Sequence, residues 1–116
     1  MTYDPMQSSP EQNAEAANEI FPDIDYHNVR KAALILRALN HTLRQQIVKT
    51  IYENKKLTVT ELYVKLRLEQ SVASQHLAIL RKAGIVTTRR DGKFIFYTLN
   101  FPRIEAINEF VKNLIG

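Results

Sequence analysis

A mainly α-helical domain carrying one small β-hairpin is the fold class this sequence predicts, and three observations predict it. Apolar residues recur at helical spacing through Leu43, Ile47, Val48 and Ile51, then Leu62 and Leu66, then Ala73, Leu77 and Leu80. Two runs rich in β-branched and aromatic residues, 85–90 and 93–99, flank the turn pair Asp91-Gly92. A chain of 116 residues suffices for one such domain with a small core.

Taken in order, residues 1–22 contain Pro5, Pro10 and Pro22 among Gln, Ser, Asn, Glu and Ala, and are expected to form a mobile acidic tail. A solvated tail without a role is the preferred reading over one that competes with nucleic acid. The folded domain is expected to span 23–116. A first helix is predicted from Ile24 towards Leu39. Its apolar run Ala32, Ala33, Leu34, Ile35 and Leu36 encircles the helix, so burial is expected on more than one side, the second against a partner chain. Asn40, His41 and Thr42 supply polar chemistry for the next helix start. Leu57, Thr58 and Val59 read as an extended link, with Thr60 capping the helix that carries Leu62 and Leu66 and Glu61 in its first turn.

A brief polar break at Glu69-Gln70 then separates two short amphipathic helices that share one core, which is a helix-turn-helix. The second of them, beginning near Ser71, keeps Ala73, Leu77 and Leu80 for the core. It leaves Ser71, Ser74, Gln75 and His76 elsewhere on its surface, with Arg81 and Lys82 at its far end. Short polar donors and acceptors at a helix start suit base edges in a major groove. Gly84 stops this helix, and the hairpin that follows brings Arg89, Arg90 and Lys93 to its tip, where cations would meet phosphates or enter the minor groove. Helix-turn-helix plus hairpin is a winged helix-turn-helix. Beyond it, Pro102 suits a first helical turn, and Ile104, Ile107, Phe110, Val111, Leu114 and Ile115 form the stripe of a last helix.

Charge divides along the chain. Residues 1–29 carry six acids and no Lys or Arg, a balance of −6, whereas residues 30–116 carry all sixteen cations against six acids, a balance of +10. A surplus of that size on one small domain is the footprint of a nucleic-acid binder. There is no cysteine, which excludes disulfides, thiolate metal sites and a thiol switch. No apolar run approaches the roughly 20 residues that span a bilayer, and the amino terminus lacks the pattern of a signal peptide. A cytoplasmic location without membrane partners is expected. His27, His41 and His76 are far apart and fall on different predicted helices, no carboxylates pair beside them, and three glycines build no phosphate loop. Neither an enzyme nor a cofactor is expected.

The run Leu66-x-Leu68-x-Gln70-Ser71-x-x-Ser74-x-His76-Leu77-x-x-Leu80-Arg81-x-Ala83-Gly84-Ile85-Val86, with Arg89-Arg90-Asp91-Gly92-Lys93 and Phe96-Tyr97-x-Leu99 after it, resembles the ArsR/SmtB family across about residues 28–115. The family's members are small dimeric winged-helix regulators of transcription. The resemblance implies a homodimer held by the first and last helices, binding double-stranded DNA at an inverted repeat. Its residues are expected to be Gln70, Ser71, Ser74, Gln75 and His76 for sequence choice and Arg81, Lys82, Arg89, Arg90 and Lys93 for phosphates. Arg44 matches an arginine the family often carries, near the DNA backbone or in a surface salt bridge, and for His76 the competing role is a polar residue at the core's edge. Glu69 would face phosphate or favour the helix start, and Val72 could meet a thymine methyl. Where many members hold metal through Cys-x-Cys, this chain has Thr58 and Thr60; where others use Asp and His on the last helix, it has Phe101, Pro102, Arg103 and Leu114. No metal site is therefore expected. The leading expectation is a repressor that does not respond to metal. Its alternatives are a regulator released by an organic effector at the dimer interface and a winged helix that docks proteins.

Overall fold

The computed structural model describes residues 23–116, so the expected acidic tail at 1–22 lies outside the described residues. The described residues fall into two units, 23–30 and 31–116, and the second holds the whole described core. In the first, the carboxylate of Asp25 accepts from the backbone N and the side-chain Nδ2 of Asn28 at 3.1 and 2.8 Å, fixing a helix start. The elements in order are α1 (Tyr26–Leu39), α2 (Thr42–Asn54), α3 (Val59–Leu66), α4 (Gln70–Lys82), β1 (Val86–Asp91), β2 (Phe94–Leu99) and α5 (Phe101–Ile115). Among the described residues this is a winged helix, five helices with one antiparallel hairpin, as the hydrophobic periods and the β-branched runs predict.

The core gathers the predicted apolar residues. Ala38 of α1, Ile47 and Ile51 of α2, Leu62 of α3, Leu77 and Leu80 of α4, and Ile85 and Val86 leading into the wing are all but inaccessible, with Leu57 and Ile107 slightly more accessible. At roughly 1.5–3 kcal/mol for each large apolar side chain buried, this cluster is the main stabilising term of so small a domain.

Local chemistry moves several boundaries. The cap of α3 is Thr58, not Thr60: its hydroxyl accepts from Glu61 N at 3.1 Å while the Glu61 carboxylate accepts from Thr58 N at 2.9 Å. That reciprocal Thr-x-x-Glu pair satisfies two otherwise unpaired N–H groups, and capping by Thr60 would satisfy neither of them this way. The break between α3 and α4 is Arg67 to Glu69 rather than Glu69-Gln70, because Arg67 itself turns the chain with φ 56° and ψ 48°. The helix α4 ends in a Schellman motif: Gly84 has φ +76°, its N–H reaches Arg81 O at 2.9 Å, and Ile85 N reaches Leu80 O at 3.0 Å.

In the hairpin, Asp91 pairs with Phe94, so the two-residue turn is Gly92-Lys93 and Asp91 is the last residue of β1. Of the two turn residues only Gly92 has positive φ, +64°, the pattern of a type II′ turn with glycine first. The Asp-Gly signal located the hairpin correctly and its register one residue early.

Two links tie the wing to the helices. Leu57 and Tyr97 exchange backbone hydrogen bonds of 3.2 and 2.7 Å, extending the hairpin onto the segment before α3. Asn100 caps α5 by accepting from Arg103 N, while its Nδ2 donates to Gly84 O at 2.9 Å and its backbone N to Ile85 O at 2.9 Å. Asn100 thus joins the start of α5 to the end of α4.

Candidate nucleic-acid interface

The periodicity of α4 sets its two sides. Ala73, Leu77 and Leu80 are buried, and Ser71, Ser74, Gln75 and Ala78 are exposed along the opposite side, with Arg81 and Lys82 exposed in the last turn. Gln70, expected in the break, is the first residue of the helix and is exposed. Glu69 occupies the N-cap position, and its side chain makes no capping hydrogen bond. Val72 is half-buried.

On the wing, Arg89, Arg90 and Lys93 are exposed. Arg90 Nε donates to Gly92 O at 3.2 Å, so the turn itself steadies the guanidinium. Lys93 Nζ lies 5.4 Å from the centroid of the Phe94 ring, and Lys56 Nζ lies 4.5 Å from that of Phe96. Phe94 and Ile95 are about half exposed at 51% and 48%, an apolar character at the tip that strand alternation alone does not indicate.

His76 stands apart from its neighbours. It is half-buried, and its Nδ1 lies 3.1 Å from Arg44 Nη1. A guanidinium only donates, so Nδ1 accepts and the proton of the neutral ring is on Nε2. Arg44 is 7% exposed, and neither expected role, a DNA-backbone contact or a surface salt bridge, describes its surroundings. Its Nε donates to Ala38 O at 2.7 Å and its Nη2 to Arg37 O at 3.1 Å. These carbonyls belong to the last turn of α1, where helices leave C=O groups unpaired and the dipole is negative.

His41 completes the group. As N-cap of α2, its Nδ1 accepts from Leu43 N at 3.2 Å and Arg44 N at 3.5 Å, and its ring centroid lies 4.9 Å from that of His76. His41 and His76, remote in sequence, are therefore neighbours. Among the described residues, no group of three or more His, Cys, Asp or Glu is placed to hold a metal.

Residues 41–88 match the sequence profile of the arsR family of bacterial regulatory proteins. The transcriptional activator HlyU of Vibrio cholerae is 40% identical over 87 residues, spanning 75% of this chain and 80% of that protein. The chain belongs to the arsR family. The transcriptional repressor PagR of Bacillus anthracis is 36% identical over 84 residues, 72% of this chain and 84% of that protein. Its crystal structure superposes with a TM-score of 0.61 at 33% identity, covering 75% of this chain and 99% of PagR. Family and fold together make the protein a winged-helix transcriptional regulator.

Burial lowers the pKa of His76 below its ordinary value of about 6.5, and the neighbouring His41 and Arg44 lower it further. The folded chain then binds fewer protons than the unfolded chain. The associated stability is complete above pH 6.5 and is lost as pH falls from there through the folded value. Urea unfolding between pH 7.5 and 5 should show the midpoint falling with acidification, and more shallowly in His76→Gln, which keeps an acceptor for Arg44 but does not titrate. Parallel curves for the two proteins would refute the assignment.

Proposed function

We propose that this chain acts as a homodimer that represses transcription by occupying an inverted-repeat operator. The two copies of α4 lie in successive major grooves about 34 Å apart. The observation that carries this reading is the two-sidedness of α4: one side is locked into the core, and the other presents Ser71, Ser74 and Gln75 with free cations beyond them. Gln70, Ser71, Ser74, Gln75 and the Nε2–H of His76 read base edges. Arg81, Lys82, Arg89, Arg90 and Lys93 hold phosphates and supply most of the affinity. The relatives' names include both an activator and a repressor, so the sign of control here follows from where the operator lies relative to the promoter.

Two exchanges separate reading from holding. Gln75→Ala should cost roughly 1–3 kcal/mol on the operator and relax sequence choice. Arg90→Ala should weaken operator and random DNA alike and reduce the salt slope by about one unit. Fluorescence anisotropy across a salt series measures both. An unchanged preference for operator in Gln75→Ala would remove α4 from the reading role, and salt-insensitive or absent DNA binding would favour a protein-docking module.

The dimer rests on α1 and α5, whose apolar residues are incompletely covered within one chain: Phe110 is 46%, Leu114 66% and Leu34 53% exposed. Asp at both 110 and 114 should give a folded monomer by sedimentation with a cooperative melt, since neither position is in the core. A wild-type mass of one chain at micromolar concentration overturns the dimer.

The regulator is proposed not to respond to metal. Thr58, at one of the positions where relatives with thiolate sites carry cysteine, is already committed to capping α3, and hydroxyls do not replace thiolates for soft metals. Stoichiometric zinc should leave a protein–operator complex intact in a gel-shift titration; its dissociation would show that a site exists.

A further inference from the structure

We propose that the cleft between α1, the end of α4 and the start of α5 binds an organic carboxylate with an apolar body, and that this ligand opposes DNA binding by drawing Lys82 to itself. The cleft has a volume of about 590 Å³, within the roughly 300–1,000 Å³ of small-molecule sites. Its floor is apolar, from Leu34 and Ile35 of α1 and Ile79 and Ala83 at the end of α4. The other lining residues are three cations, Lys31, Lys82 and Arg103, and no acid is among them. An apolar floor under three like charges is complementary to one kind of small molecule, an anion carrying hydrocarbon.

Arg103 is the best-placed of the three. A Cβ on Gly84 would lie 3.1 Å from its Nε and 3.2 Å from its Nη2, so glycine lets the guanidinium lie across the end of α4. A planar guanidinium held in this way binds a carboxylate through two parallel hydrogen bonds.

A second copy of the chain is the competing occupant, and the neighbouring cleft suits it better. That one is smaller, about 180 Å³, and is lined by Ala32 and Leu36 of α1 and by Ala106 and Phe110 of α5, with Arg103 as its one charged lining residue. Apolar surface of this kind is what a dimer contact covers. Covering the larger cleft with a like chain would bury three clustered cations whose own lining holds no acid, and a buried charge left unpaired is costly.

The link to DNA runs through α4. Ile79 and Lys82 line the cleft and also belong to that helix, and Lys82 is among the residues proposed above to hold phosphate. This regulatory half rests on that reading; the site does not. Carboxylate and phosphate compete for one cation, so each weakens the other by the same factor.

The experiment uses the full chain labelled with ¹⁵N and three probes: decanoate below its micelle concentration, decanol with the same body and no charge, and inorganic phosphate with charge and no body. Decanoate should shift the amides of Leu34, Ile79 and Ala83 saturably, and bind at least about tenfold more tightly than either control. Lys31→Gln and Arg103→Gln, neither in the proposed DNA set, should each weaken decanoate by about threefold or more and leave decanol unchanged. Operator affinity of the wild type should fall as decanoate saturates. Equal binding of decanoate and decanol, shifts spread elsewhere, or indifference to both substitutions overturns the site. Saturation with unaltered operator affinity overturns the regulatory half. A chain that binds no DNA even without decanoate fails the functional reading above instead, so the two failures are told apart.

Discussion

A guanidinium buried without a carboxylate is the constraint around which α1, α2 and α4 are arranged. Taking a cation out of water costs several kcal/mol unless good acceptors replace the water. Around Arg44 they come from three elements: the carbonyls of Arg37 and Ala38 at the end of α1, and Nδ1 of His76 in the middle of α4. The carbonyl of Leu39 is taken in turn by Gln45 Nε2 at 2.8 Å. The last carbonyls of α1, which lack partners within the helix, are thus satisfied by side chains of α2. The arrangement works in both directions. It compensates the buried charge, and it fixes where α1 ends, how α2 starts and the position of α4 relative to both. His41 strengthens it, because one of the two N–H groups that its ring caps belongs to Arg44 itself.

Sequence choice on DNA demands that a helix be held to fractions of an ångström, whereas phosphate attraction tolerates slack. The distribution of interactions respects that difference. The reading side of α4 is backed by Ala73, Leu77 and Leu80 and by the Arg44–His76 contact, all buried or half-buried. The phosphate candidates sit on long exposed side chains at the helix end and wing tip, where position is set only by a turn carbonyl or an aromatic face. Between these zones, Asn100 and the Leu57–Tyr97 exchange keep the wing base in register with the helices. The rigid part of the molecule is therefore the part proposed to discriminate.

Much of this was legible in the sequence, and the remainder was hidden for identifiable reasons. Helical spacing named the core of α2, α3 and α4 because burial of one side leaves a period that a single sequence displays. The Thr58–Glu61 pair was legible too, as a Thr-x-x-Glu signature, and choosing Thr60 overlooked it. The hairpin register was off by one because Asp-Gly and Gly-Lys both supply a glycine, and only strand pairing decides between them. Arg44 was hidden more deeply. Its partners are backbone carbonyls, which every residue carries, so no side chain elsewhere in the sequence announces a buried cation. The approach of His41 to His76 depends on tertiary packing of two helices and leaves no local trace. Gln70, Ser71, Ser74, Gln75, Arg81 and Lys82 were foreseen as exposed, since exposure on a helix is the complement of a periodic core, whereas His76 is half-buried and the exposure of Ala78 and Ile79 was not foreseen.

The anchoring of α4 also decides where a signal can act on it. At its middle the helix is tied to a buried cation, and displacing it there would strand both a charge and a set of carbonyls. At its far end the constraint is lighter: Ala83 and Gly84 complete the helix, Ile79 is 41% exposed, and Lys82 stands at a cleft. The chain has no cysteine and Thr58 is engaged in capping α3, so the input proposed here is of another kind. The proposed input through the cleft needs no movement of the reading side. It withdraws one phosphate contact, and because phosphate contacts dominate affinity while base contacts set choice, such a signal lowers occupancy of the operator without changing which sequence is preferred.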